Sequence, residues 1–213
     1  MKTTRCILCY SDKTFVVLVD ELLYTYLECS RCGLYFANPE ERIPPEEEKL
    51  RYLPHENNPD DPDYRAFLNQ LFEPLNQRLP PNRHGLDYGS GPGPTLHLMF
   101  EDTGHKMDIY DPFFADNPEV LEKTYDFITC TETAEHFYHP GREFQNLWTM
   151  LKPGGLLGIM TWLLSDAIDF KTWHYRRDET HVAFYQKKTF EWLADRLNAN
   201  LDILSDRVII LEK

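Results

Sequence analysis

Apolar residues recur at helical spacing through Leu68, Leu71, Phe72, Leu75 and Leu79. The periodicity predicts an amphipathic helix over residues 64–79, kinked or divided at Pro74 and stopped by Pro80-Pro81. From Gly85 the pattern changes to a short strand over 86–88, a Gly-rich turn and a helix over 95–101. Apolar strands follow at 106–110 and 125–130. A helix over 141–151 aligns Phe144, Leu147, Trp148 and Leu151, and Lys152-Pro153-Gly154-Gly155 reads as a turn before a strand over 156–162. The last helix spans 189–198 with Thr189 as its N-cap, and residues 201–204 and 208–211 read as a closing hairpin. Strands alternating with helices imply an α/β fold with a Rossmann-like, mostly parallel sheet.

Before this pattern, residues 14–19 and 22–27 are β-branched and aromatic, as two strands should be. They lie between Cys6-Ile7-Leu8-Cys9 and Cys29-Ser30-Arg31-Cys32. A two-residue gap lets one tight turn aim two thiolates at one ion, and two such turns complete a tetrahedral zinc site. Four thiolates leave no open position, so this metal is structural. A segment this short hardly folds on its own core, so zinc would supply much of its stability. The chain divides into a zinc-binding β-hairpin module (1–38), a Pro-, Glu- and Asn-rich linker (39–63) with a short helix over 46–52, and a larger domain (64–213).

Charge narrows the partners. There are 22 Lys and Arg against 35 Asp and Glu, a formal net charge of −13 that disfavours nucleic acid as a partner. No apolar run approaches bilayer length and the N-terminus has no signal-peptide core, so no membrane and a cytoplasmic location are expected. Cys130 falls in a buried strand pattern and reads as inert.

Gly89, Gly91 and Gly93 follow a strand and open a helix. In that context the backbone approaches a ligand closely and offers free N–H donors. Asp111 ends the second strand, where a carboxylate accepts hydrogen bonds from both hydroxyls of a ribose. Its alternative role is to cap the turn before Pro112.

From residue 64 onward the chain resembles class I S-adenosylmethionine-dependent methyltransferases. The resemblance rests on Gly85-Leu86-Asp87-Tyr88-Gly89-Ser90-Gly91-Pro92-Gly93, on Ile109-Tyr110-Asp111, on the run from Tyr125 to Phe137 and on Leu151-Lys152-Pro153-Gly154-Gly155. It implies a seven-stranded sheet whose last strand is antiparallel. It implies that Gly89, Ser90, Gly91 and Gly93 hold the methionine part of S-adenosylmethionine and that Asp111 holds the ribose. Thr131 and Glu132 would line the sulfonium side, and Asp87 matches the acidic residue beneath the Gly-rich loop. The sequence departs from the family after Asp111, where only thirteen residues precede Tyr125. A helix and a third strand are usual there; here Phe113 or Phe114 is left to stack on adenine or to join the core.

Residues 173–185 form a dense polar and aromatic cluster in the region where such enzymes build acceptor contacts. His174 and His181 are candidate general bases, with Tyr175 as a further catalytic candidate. The Glu135-His136 pair reads as structural and not as a metal site. His55 and Tyr64 are placed to cover the cofactor as a lid. The expected function is methyl transfer to a small molecule at O, N or C, with S-adenosylmethionine and a structural Zn2+ as cofactors. An RNA methyltransferase with the zinc module as reader, or a non-catalytic protein docking a protein partner through that module, are the alternatives.

Overall fold

The computed structural model describes residues 4–21, 24–54 and 57–213. Leu22 and Leu23 of the expected second strand, and His55 of the expected lid, lie outside these described residues. The N-terminal strands are β1 (Thr14–Val19), β2 (Thr25–Cys29) and β3 (Tyr35–Ala37). Helices α1 (Pro45–Tyr52) and α2 (Pro62–Asn76) follow. The larger part of the chain then runs β4 (His84–Tyr88), α3 (Leu96–Glu101), β5 (Lys106–Tyr110), β6 (Tyr125–Thr131), α4 (Pro140–Met150) and β7 (Leu151–Met160). It ends with β8 (Ala183–Phe184), α5 (Lys187–Leu197), β9 (Asn200–Ile203) and β10 (Val208–Glu212).

The main sheet has the order β5-β4-β6-β7-β10-β9. The first four strands are parallel; β10 is antiparallel to both β7 and β9. The α/β class and the antiparallel closing hairpin agree with the sequence. The strand count is corrected: six strands pair among the described residues, not seven. The thirteen residues after Asp111 hold only a carboxylate-capped turn and a 3-10 helix, Pro118–Glu122. Val120 from that helix is buried and its carbonyl accepts from the Tyr125 hydroxyl at 2.7 Å, which closes the gap without a strand.

Three local expectations also change. Helix α2 is not divided at Pro74, which sits in its last turn and forfeits a single helical bond. Thr189 is the third residue of α5; its hydroxyl accepts from the backbone N–H of the N-cap Gln186, one half of a capping box. Residues 152–155 belong to a bulged start of β7, because Tyr125 pairs with Leu151 while Phe127 pairs with Leu156.

The second sheet, β1-β2-β3-β8, joins both ends of the sequence. Tyr35 and Phe36 of β3 pair with Phe184 and Ala183 of β8. The Gln186 side chain donates to the Gly33 carbonyl at 2.6 Å, and Lys188 pairs with Glu28 at 2.8 Å. Cys6, Cys29, Cys32, Leu34 and Phe36 share one buried cluster with Phe144, Leu157 and Phe190 of the larger region. The N-terminal hairpin therefore packs into the main core.

Candidate active site

Open parallel sheets place ligands beyond the carboxyl ends of their strands. A cavity of about 620 Å3 lies there, at the ends of β4, β5 and β6. Its walls include Asp87, Gly89, Ser90, Gly91, Asp111, Thr131 and Glu132, seven of the eight residues expected at the cofactor. Gly93 does not line it; a Cβ there would lie 2.2 Å from the Asn57 carbonyl oxygen, so its glycine serves backbone packing. Tyr64 of α2 lines the cavity, as does Asn57.

The Gly-rich turn has a geometry only glycine adopts easily. Gly89 and Gly91 have φ of +80° and +67°. A Cβ on Gly91 would meet nothing within 4 Å, so this stretch of backbone faces open space. Asp87 beneath the turn is buried, accepts from the Thr129 hydroxyl at 2.7 Å, and is pushed up to about 6 by burial.

Asp111 is 7% exposed. One carboxylate oxygen accepts from the Gly91 N–H at 2.9 Å; the other accepts from Phe113 and Phe114 N–H at 2.8 and 3.0 Å. The capping role and the cavity position are both realised. The cap brings Phe113 and Phe114 into the cavity wall.

At the end of β6 the chain turns sharply, with Glu132 at φ +47°. Ser90 Oγ, Thr131 Oγ1 and Glu132 Oε1 are buried without a hydrogen-bond partner among the described residues. All three residues line the cavity, and buried polar atoms of this kind call for a ligand or water. Burial, reinforced by the neighbouring Glu135 carboxylate, pushes Glu132 up to about 8.

Of the three catalytic candidates, His181 lines the cavity. Tyr175 stands behind the wall: it is buried, and its hydroxyl donates to Glu135 Oε1 at 2.6 Å. His174 does not line the cavity; it is exposed and packs edge-on against Trp162. The sequence reading missed Glu48, Tyr52, Glu135 and His136 as cavity residues. The run Glu132-x-x-Glu135-His136 directly after a buried strand was the available signal for two of them.

Glu135 is 0% exposed and also accepts from the Thr161 hydroxyl at 2.9 Å. His136 Nδ1 lies 3.0 Å from the Thr180 carbonyl, and His181 Nδ1 lies 2.6 Å from the Tyr175 carbonyl. A carbonyl only accepts, so His181 Nδ1 carries the proton; His136 Nδ1 also has the Tyr52 hydroxyl at 3.0 Å. Burial pulls His136 down to about 4 and keeps it neutral.

In the N-terminal module, Cys6 and Cys32 Sγ are 3.6 Å apart, and Cys9 and Cys29 Sγ 3.4 Å. Ligating atoms of all four lie within 4.8 Å of one another. Tetrahedral Zn–S bonds of about 2.3 Å set sulfur separations of about 3.8 Å, so the donor set fits one zinc ion.

Comparison with known proteins agrees with this geometry. Residues 59–204 match a methyltransferase domain family. The chain is 34% identical over 71 residues to a ubiquinone biosynthesis O-methyltransferase of Vibrio atlanticus (strain LGP32), covering 33% of this chain and 30% of that protein. It is 32% identical over 78 residues to the protein of that name from Shewanella sp. (strain ANA-3), covering 37% and 33%. The chain thus spans about a third of the length of these curated relatives. The fold matches a Burkholderia thailandensis 1,6-didemethyltoxoflavin-N1-methyltransferase solved with 1,6-didemethyltoxoflavin and S-adenosylhomocysteine, with TM-score 0.57, 14% identity, and coverage of 93% of this chain and 98% of that one. It also matches an O-methyltransferase family protein from Burkholderia thailandensis, with TM-score 0.52, 11% identity, and coverage of 70% and 55%. With the family matched over more than half its length, and a Gly-rich turn, a strand-end aspartate and an antiparallel closing hairpin in the expected places, the chain belongs to the class I methyltransferases.

Proposed function

We propose that this protein transfers a methyl group from S-adenosylmethionine to a small-molecule acceptor. The observation that carries the reading is one cavity with two chemistries. The Gly89–Gly91 turn and Asp111 line it together with Glu132, His136 and His181. The unpartnered Ser90, Thr131 and Glu132 atoms fit a polar cofactor in that space.

When bound, S-adenosylmethionine supplies an electrophilic methyl on a sulfonium. Gly89 and Gly91 would let bare backbone approach its amino-acid part, Ser90 would offer it an unpartnered hydroxyl, and Gly93 would fix the turn on Asn57. Asp111 would accept from the ribose hydroxyls through lone pairs not used by the turn. Phe113 would cover the base in place of the missing third strand. Thr131 and Glu132 would border the sulfonium, and Asp87 would steady the turn from below. On the acceptor side, His181 lines the cavity and would contact the reacting group. Tyr175 is a positioning residue acting through Glu135. His174 has no part in this arrangement.

Methyl transfer depends on in-line placement of acceptor and sulfonium more than on strong acid–base groups. The cavity volume suits a small molecule. The names of the relatives point to oxygen or nitrogen acceptors on ring compounds. The module over 1–38, the segment 39–63 and the domain over 64–213 would act as one unit, with zinc holding the hairpin. Among the described residues no helix is long and apolar enough to cross a membrane.

The test is calorimetric titration of zinc-loaded protein with S-adenosylhomocysteine. Saturable one-to-one binding that weakens in Asp111→Ala is expected. Failure of the wild type to bind would sink the reading.

A further inference from the structure

The two sheets have four edge strands, β5 and β9 in the main sheet and β1 and β8 in the smaller one. Three of them are guarded against a further strand. Strand β5 carries Lys106 and Asp108, β9 carries Asp202, and β8 has only two residues. Charge and shortness are how proteins keep sheet edges from pairing. Strand β1 has neither: its run Thr14-Phe15-Val16-Val17-Leu18-Val19 holds no charge and no proline. It pairs with β2 on one side, and among the described residues no strand pairs with its other side. Its one irregularity is a register shift between Val16 and Leu18.

The side chains of β1 are divided. Val17 and Leu18 pack against the cluster that holds Tyr26, Phe170 and Phe184. Phe15, Val16 and Val19 are 49%, 56% and 54% exposed. Apolar residues scattered singly are ordinary on a surface, but three on one uncharged edge strand mark a contact site.

The two ends of the strand differ in charge. Arg5, Lys13 and Arg31 gather round one recess at its start, with Asp12 as the only carboxylate lining it. Asp20 and Glu21 follow its end, and Asp20 is taken by Arg176 at 2.9 Å. Arg5, Lys13, Arg31 and Glu21 enter none of the ion pairs among the described residues. An antiparallel copy of the same strand brings its acidic end to the basic start and its basic start to the acidic end. That complementarity, satisfied twice about a two-fold axis, selects a second copy of this chain as the occupant.

We propose that β1 is a self-association edge, at which two copies of this chain pair their β1 strands antiparallel about a two-fold axis near Val17. Lys13 of each copy then faces Glu21 of the other, and Phe15, Val16 and Val19 leave solvent. The backbone N–H and C=O groups along the free side of β1 gain partners. The two small sheets become one, with four strands from each copy. Six residues a side make a small interface, so association is weak, in the micromolar range. The inference goes beyond methyl transfer and stands without it, because β1 does not line the cavity.

The experiment is sedimentation equilibrium of the zinc-loaded full chain over about 1–200 μM. Wild type should pass from monomer to dimer across that range. Val16→Lys falls at a position more than half exposed, so the fold tolerates it, and it should weaken dimerisation at least about tenfold. Lys13→Glu and Glu21→Lys each set like charges at both two-fold contacts and should do the same. Mixed together, these two variants have opposite charges at both contacts and should dimerise with each other about as well as wild type. Loss of fold cannot produce that rescue. A wild type that stays monomeric throughout overturns the proposal and leaves the edge to a different partner. A dimer indifferent to Val16→Lys, or a mixture that stays monomeric, overturns it as well. S-adenosylhomocysteine binding should be equal in all of these variants, so the outcome leaves the reading of the cavity untouched.

Discussion

Thr133 closes directly over Gly89. Its hydroxyl donates to the Gly89 carbonyl at 3.2 Å, and a Cβ on Gly89 would fall 2.2 Å from the Thr133 methyl carbon. The turn after β4 and the segment after β6 are thereby locked together at the cavity.

Gly89→Ala should therefore fail twice, on φ of +80° and on this contact. We expect a loss of about 1–3 kcal/mol in stability and at least tenfold weaker S-adenosylhomocysteine binding. Adding Thr133→Ser removes the methyl and should restore part of the stability but not the part owed to φ. Urea unfolding of the single and double variants decides it.

Asp111→Ala removes acceptors for three backbone N–H groups as well as the proposed ribose contact. Cofactor affinity should fall by more than about 1 kcal/mol. The turn should loosen, raising hydrogen exchange at Phe113 and Phe114. Unchanged exchange with lost affinity would assign the carboxylate to the ligand alone.

Asp87 gives a pH dependence of definite sign. Its folded value of about 6 lies above the ordinary 3.8, so the folded state binds more protons in between. The contribution is fully present below the unfolded value and is lost as pH rises through about 6. Asp87→Asn mimics the protonated form. It should match wild type near pH 4 and exceed it by about 1–3 kcal/mol at pH 7, while binding S-adenosylhomocysteine more weakly. Unfolding free energies across pH 4–7 give the comparison.

Cys32→Ser, or removal of zinc by a chelator, should reach beyond the hairpin. The β3–β8 pairing sits two residues from His181. We expect a lowered thermal midpoint. Hydrogen exchange at Ala183 and Phe184 should rise together with that at Phe36.

The main sheet was legible because each strand carries its own signal: β4, β5 and β6 are short runs ending at Gly89, Asp111 and Glu132. Strand β8 was not, because two residues carry no periodicity and their pairing with β3 is set by tertiary packing. On the proposed cofactor side, Asp87, the glycines and Asp111 sit within one strand–turn–helix–strand run, so order in sequence equals proximity in space. His181 and Glu135 meet only through the fold, which is why the acceptor side was readable as a cluster of residue types but not as a geometry. His174 shows the cost: it shares the cluster with His181 and points elsewhere.

The β3–β8 pairing also sets an order of events for the nascent chain. The hairpin leaves the ribosome before β8 does, and its outer strand finds its partner only after about 150 further residues have been made. Until then β3 has an unpaired edge, open to a neighbouring chain. Early metal capture by the four cysteines would hold the hairpin in register through that interval. Expression in zinc-poor medium should accordingly shift the protein into aggregates formed during synthesis, while material folded with zinc and chelated afterwards stays dispersed.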